Sequence, residues 1–415
     1  MAFPLKIFYI GVVLCLFLSG YNVLYDIGYY KFVNSDEIIE PAFFFFSFSF
    51  LALLVNGIKI KYYKNELRLI LFLIFVALFN YFTGRDFLIK QFFPSIIFPV
   101  FFTILVFSLE SKIRKEKIKS IVYFFLIVEC SIAILEKFTQ NCLFPTLNID
   151  SGFNDWGEGF RSFALMGHPL SNSSFITYAL LCITISEKSI LKKNILSLLC
   201  ITALLAFNSR FTIVIGTFLY VFSVIKDLLY KKIKFKWYLL YFVLFISLFI
   251  ISENLLSHGF GDRLINKGLN DGSSQARVEI LDLFTRISLD DLFLGLNNSY
   301  VIDIAERTIR EGFIIENCWA IFLLRYGIIF LSIGVILYSK IFIRYLKPYS
   351  KCQRFLIIFV FFLLTSSTNS LAAGANLYLT RFFLLLYILS PSPIKINKHE
   401  SINNHPNLQC RKISV

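Results

Sequence analysis

Arg210 stands inside an otherwise apolar stretch running from Asn194 to Ile225, in the run Ala206-Phe-Asn-Ser-Arg-Phe-Thr212. That stretch is too long for one membrane crossing and about right for two short ones. A charge at bilayer depth costs about 2.5–3.5 kcal/mol on insertion scales, so the economical reading is a hairpin turning at Asn208–Ser209–Arg210. A guanidinium held there calls for an anion, and a lipid-linked phosphate suits it because it is bound bidentately. Arg161, in Gly159-Phe-Arg-Ser-Phe-Ala-Leu-Met-Gly-His-Pro-Leu170, is a second anion-clamp candidate, helped by Gly167 and by the turn that Pro169 makes. Arg277 is a third: it falls in the first turn of a helix capped near Ser274, where a cation opposes the macrodipole. Each has a bland alternative, an interfacial anchor for Arg161 and a helix-end snorkel for Arg210. Arg263, Arg286, Arg307 and Arg310 read as solvated loop charges.

Two side chains suit proton transfer, His168 and Glu316. Glu316 opens the apolar run Ile314–Gly327, where the helix dipole stabilises a carboxylate and partial burial raises its pKa towards that of a usable base. Asn317 beside it can orient a sugar or phosphate. The sequence has no P-loop, no HExxH, no Gly-x-Ser-x-Gly and no Asp-x-Asp. Neither a cofactor nor a metal is expected, although Asp36-Glu37 is an acidic pair that a metal-dependent transferase could use.

These residues need a scaffold, and composition says which kind. Of 415 residues 57% are hydrophobic, 50 are Phe, only 16% are charged, and mean hydropathy is +0.70. That is more apolar surface than a soluble domain of this size uses, so the fold class is all-α, a polytopic membrane helix bundle. The net charge of +14 could suggest nucleic acid. The Lys and Arg lie between apolar runs, however, the pattern of the positive-inside rule rather than of a basic patch. The eight cysteines are scattered without a CxxC pair and act mostly as small apolar residues; Cys142 and Cys318 look exposed on the outer side, where they could pair.

Apolar runs predict about twelve transmembrane helices, near 5–20, 38–56, 67–82, 87–109, 120–137, 171–186, 194–208, 211–226, 237–252, 314–336, 355–371 and 376–390. The N-terminal run lacks a small-x-small cleavage site and reads as an uncleaved first span. Most of the 41 Lys and Arg fall in alternate connections if both termini are cytoplasmic. The integral membrane domain then covers 1–392, with a cytoplasmic tail at 393–415. Two outside connections are long, about 138–170 and 253–313, and outside loops of that length are commonly functional. In the second, Val278, Leu281, Phe284 (or Ile280) and Ile287 give an amphipathic helix, and Val301–Arg310 a second short one.

With these residues in view, the chain resembles the O-antigen polymerase and O-antigen ligase superfamily of bacterial inner membranes. The likeness rests on Arg161…Gly167-His168-Pro169 before a span and on Ser209-Arg210 at a hairpin tip. It continues through a long periplasmic loop with Arg277, Phe293-Leu-Gly-Leu-Asn297, and Glu316-Asn317 leading into a span with Arg325-Tyr-Gly327. It covers about 160–330. Ligases of this superfamily typically place His before Asn where this chain has Glu316, so the resemblance implies an O-antigen polymerase. Such an enzyme transfers a polyprenyl-pyrophosphate-linked glycan onto a lipid-linked repeat unit at the periplasmic face, without a metal. Arg161, Arg210 and Arg277 would then hold the pyrophosphate, Glu316 or His168 would take the acceptor proton, and Asn317 would orient the substrate. The implied partners are the lipid-linked oligosaccharide, the bilayer, a chain-length regulator and a flippase. The rival readings are an O-antigen ligase and a lipid-linked oligosaccharide flippase or transporter.

Overall fold

The computed structural model describes residues 2–29, 39–58, 60–85, 88–144, 160–230, 254–266, 272–309, 315–369 and 376–391, with isolated positions between 231 and 250 and at 371–372. Most of the expected span at 237–252, and Asp36-Glu37, Arg310 and the tail, lie outside the described residues. All regular structure among the described residues is helical.

In chain order the helices are α1 (Ala2–Phe17), α2 (Tyr21–Asp26), α3 (Pro41–Val55), α4 (Lys64–Phe82), α5 (Ile89–Leu109), α6 (Lys115–Thr139), α7 (Pro169–Ser186), α8 (Ile190–Phe207) and α9 (Arg210–Tyr230). They continue with α10 (Asp262–Asn266), α11 (Gly272–Thr285), α12 (Leu289–Leu294), α13 (Asn298–Thr308), α14 (Cys318–Leu346), α15 (Lys351–Ser367) and α16 (Tyr378–Ile388). Six of these, α4, α5, α6, α8, α9 and α14, are long and apolar enough to cross a membrane; α1, α3 and α16 are apolar but shorter.

The helices form one bundle around α7, whose residues from Asn172 to Ile183 are all buried. Aromatic rings fill the space between α7, α14, α15 and α16: Tyr178 and Phe382 have centroids 4.5 Å apart, and Tyr345 stacks on Phe383 at 4.6 Å and 8°. Lys119 pairs with Glu187 at 3.1 Å, Arg344 with Glu66 at 2.5 Å, and Lys115 lies 4.1 Å from the centre of the Tyr387 ring. These contacts gather the lysine-rich connections at one end of the bundle, as the charge pattern requires of loops that share a membrane face. Inside, Arg381 is buried and pairs with Glu40, while its Nε donates to the Cys15 carbonyl at 3.0 Å. Glu40 also accepts from Leu377 N at 3.1 Å, so the charges are neutralised and hydrogen-bonded, the condition for tolerating them there.

Several expectations are corrected. The run 314–336 falls in a helix long and apolar enough to cross a membrane, Cys318–Leu346, but that helix is broken. Gly327 has φ +75° and ψ 167°, a conformation open almost only to glycine, and it divides α14 into Cys318–Tyr326 and a long second part. The break is fixed by close backbone approach: a Cβ on Gly327 would stand 2.4 Å from Phe293 O. Leu296 N donates to Leu324 O at 2.7 Å, clamping the end of α12 onto α14. In the loop helix α11, Ile280 and Leu283 are buried, as is Ile287 just past its end, while Leu281 is 63% exposed, because the helix turns a different side inward. That helix begins at Gly272, so Ser274 is not its cap and Arg277 is past its first turn. Cys142 and Cys318 are both free thiols and Cys318 is fully buried, so they do not pair.

Candidate functional site

At the end of the bundle away from the lysine-rich loops, the expected hairpin is present. Helix α8 stops at Phe207, Asn208 turns the chain in the left-handed region (φ 55°), and Arg210 is the first residue of α9. Asparagine suits that position because it tolerates positive φ better than most residues. Thr212 Oγ1 donates to Ser209 O at 2.9 Å, which tightens the first turn of α9.

The segment carrying Arg161 and His168 lies along this tip. Ser162 N donates to Ala206 O at 3.3 Å, and Arg161 Nε donates to Phe207 O at 3.3 Å. Arg161 is therefore seated on the last carbonyls of α8, next to the turn from which Arg210 starts. His168 is the N-cap of α7, and its Nδ1 accepts from Leu170 N at 3.3 Å. Its ring reaches the surface yet is closely surrounded by protein. Desolvation, and then the Arg161 guanidinium, push its pKa down to about 4, so the imidazole is neutral at pH 7. With Nδ1 accepting, a neutral ring carries its proton on Nε2.

What holds this segment was not foreseen. Two carboxylates on one face of α6, two helical turns apart, reach up to it. Glu136 Oε2 accepts from Phe163 N at 2.8 Å and Ala164 N at 2.9 Å, and Glu136 Oε1 accepts from Leu143 N at 2.9 Å. Glu129, fully buried, accepts from Leu165 N at 3.1 Å through Oε2. Ser162 Oγ adds a bond to Ala133 O at 2.6 Å, and Asn172 Nδ2 donates to Phe163 O at 2.5 Å. The clamp constrains a turn in which Ala164 takes φ 44° and Gly167 φ 72°. Gly20 lies beneath it so closely that a Cβ would stand 1.9 Å from Leu165 O. The available signal was a pair of carboxylates inside an apolar run, Val128-Glu-Cys130 and Leu135-Glu-Lys137, which marks a site by default.

The remaining candidates are carried by other elements. Glu316 precedes the first turn of α14 instead of opening it, because Asn317 is the cap. Asn317 Oδ1 accepts from Trp319 N at 2.9 Å and Ala320 N at 3.2 Å, which leaves only its amide NH2 for a ligand. Cys318 N donates to Thr368 O at 3.2 Å and Trp319 Nε1 to Thr365 Oγ1 at 3.0 Å. Glu316 and Asn317 are thus fixed against the end of α15, which itself packs on α7 and α9. The backbone of Arg277 lies in α11; its side chain is outside the described residues, as is that of Arg263.

The arrangement offers two guanidinium groups and a neutral imidazole at the tip of a helix hairpin, a setting suited to binding an anion at a membrane boundary. Neither a model of a known protein family nor any curated protein matches this chain.

Proposed function

We propose that the chain is a bacterial membrane glycosyltransferase, an O-antigen polymerase that extends a glycan carried on polyprenyl pyrophosphate. The observation that supports this reading best is the seating of Arg161 on the carbonyl of Phe207, at the tip that begins with Arg210. Arg161 and the helix start at Arg210, on separate elements, then lie at one end of the bundle, and the reading requires both guanidinium groups to meet a lipid-linked diphosphate arriving from the bilayer.

In this reading an acceptor sugar hydroxyl attacks the anomeric carbon of the donor glycan. The new glycosidic C–O bond forms as the bond to the pyrophosphate breaks, and the acceptor proton passes to a base. Negative charge grows on the departing pyrophosphate, so catalysis needs fixed positive charge there more than it needs a metal. Arg161 and Arg210 supply it, with Arg277 as the third candidate. His168 is cast as a neutral donor through Nε2–H, since its Nδ1 is occupied by the cap. Proton acceptance is then left to Glu316, beside the Asn317 amide. The active face would be periplasmic and the lysine-rich end cytoplasmic.

The test is purified protein given lipid-pyrophosphate-linked repeat units, with and without chelator. A ladder of products is expected in both. No ladder from intact units would overturn the reading. Loss of the ladder with chelator, restored by magnesium, would return attention to Asp36-Glu37.

A further inference from the structure

We propose that an open cleft beside Arg161 is a saccharide subsite, holding the sugars that adjoin the diphosphate; its role in polymerisation rests on the function proposed above. The cleft measures about 380 Å³ and is walled by Lys137, Phe138, Gln140, Phe160, His258 and Asp262. That volume lies within the range of small-ligand pockets.

Its position ties it to the anion site. Phe160, one wall, is the residue before Arg161, and its carbonyl accepts from Lys137 Nζ at 2.7 Å. The opposite wall is fastened to the hairpin, since Gly261 N donates to Leu205 O at 3.2 Å, just ahead of the Asn208 turn. A molecule with a diphosphate on Arg161 and Arg210 would therefore direct its next groups towards this cleft.

The lining selects the class of ligand. The Lys137 ammonium is matched by the Asp262 carboxylate. The two converge on Gly259, where a Cβ would come 3.3 Å from Lys137 Nζ and 2.5 Å from Asp262 Oδ2. A charge-balanced cleft is poorly suited to a second anion, and its polar walls do not suit an acyl chain. Donors and acceptors alternate instead. Lys137 donates, Asp262 accepts, Gln140 can do both, and Ser257, whose hydroxyl already donates to Asn254 O at 2.8 Å, accepts. His258 Nδ1 lies 2.9 Å from the Asn254 carbonyl, an acceptor only, so Nδ1 is the donor and Nε2 is left as an acceptor. Phe138 supplies an apolar surface: its ring is held against His258 (5.1 Å between centroids) and Phe260 (5.0 Å), yet the residue is 45% exposed. Hydroxyls that both give and accept hydrogen bonds, set on a ring with an apolar C–H face, are the chemistry of a sugar.

The experiment uses the full-length protein in lipid nanodiscs and two probes. One is the water-soluble oligosaccharide released by mild acid from the host cell's own lipid-linked intermediates. The other is farnesyl diphosphate, which carries no sugar. Phe138→Ala, Asp262→Asn and Ser257→Trp (an obstruction placed at an exposed residue) are each expected to weaken oligosaccharide binding by about tenfold or more while leaving farnesyl diphosphate within about twofold. Arg210→Ala is expected to do the reverse. The proposal is overturned if wild-type protein does not bind the oligosaccharide, or if the three cleft variants bind it as wild type does. If the oligosaccharide binds through the cleft and farnesyl diphosphate does not bind at all, the subsite stands and the diphosphate reading falls.

Discussion

Replacing Glu136 with alanine is predicted to release the segment that carries Arg161 and His168 while leaving the bundle assembled. The carboxylate accepts the buried backbone N–H groups of Phe163 and Ala164 and the part-buried one of Leu143, at 2.8–2.9 Å. Hydrogen bonds to a carboxylate contribute about 1.5–3 kcal/mol each, and an abandoned buried donor costs about 1–3 kcal/mol. Water entering at the bundle end would satisfy part of what alanine leaves open. The two bonds to Phe163 and Ala164 are then worth about 2–3 kcal/mol together, at the low end of that range. Hydrogen exchange followed by mass spectrometry reads this directly. At about 1.4 kcal/mol per decade, the amides of Phe163 and Ala164 should exchange about 30- to 150-fold faster, through local opening. Amides in the middle of α8, around Cys200, should keep their rates, which separates local release from unfolding. Glu136→Gln sharpens the test. Its single carbonyl oxygen can still accept from Phe163 and Ala164, but its NH2 then meets Leu143 N–H. Exchange should rise sharply at Leu143 and by less than about tenfold at the other two. Unchanged exchange at 163 and 164 in the alanine variant would refute the clamp.

Three further predictions concern the site and its supports. Arg210→Lys should lose nearly as much polymerising activity as Arg210→Ala, because an ammonium cannot make the bidentate contact; wild-type ladder formation in the lysine variant would count against diphosphate binding. His168→Asn should preserve α7, since asparagine is a good N-cap, so any activity lost in it reports on the imidazole. The depressed pKa means that between about pH 4 and 6.5 the unfolded chain binds a proton that the folded chain does not. Stability attributable to His168 therefore rises with pH across that window, and a wild-type slope there that persists unchanged in His168→Asn would contradict it. Gly327→Ala should cost about 1–3 kcal/mol in backbone strain alone. The added methyl would also meet Phe293 O and Gly295 N, backbone atoms that cannot rotate away. Faster proteolysis within residues 289–296 is the expected sign, and wild-type resistance would argue against the backbone lock.

The hairpin at Asn208–Arg210 was legible because a charge inside an apolar run of two half-spans admits few placements, and the turn residues suit positive φ. Helix positions along most of the chain were legible from apolar runs for the same reason. Details set by one residue of register were not. Glu316 and Asn317 are adjacent, and the start of α14 is held by Thr365 of α15 and by Thr368 just past its end, which sequence cannot bring alongside. Leu281 is exposed where Ile280 is buried, although the two are equally apolar; only the surface beneath decides which turns inward. Glu129 and Glu136 were passed over inside a predicted span, since their partners are backbone amides of a loop with no sequence signature. Glu40 and Arg381 met only through the packing of α1, α3 and α16.

The interruption at Gly327 has a mechanical consequence. With the amide ladder broken there, rotation or tilt of the long shaft anchored by Arg344 on Glu66 is not transmitted rigidly to the short arm bearing Asn317. That arm instead takes its bearing from α12 and α15. A load on Glu316 would thus move a pivoted lever, and the long second part of α14 would keep its seat.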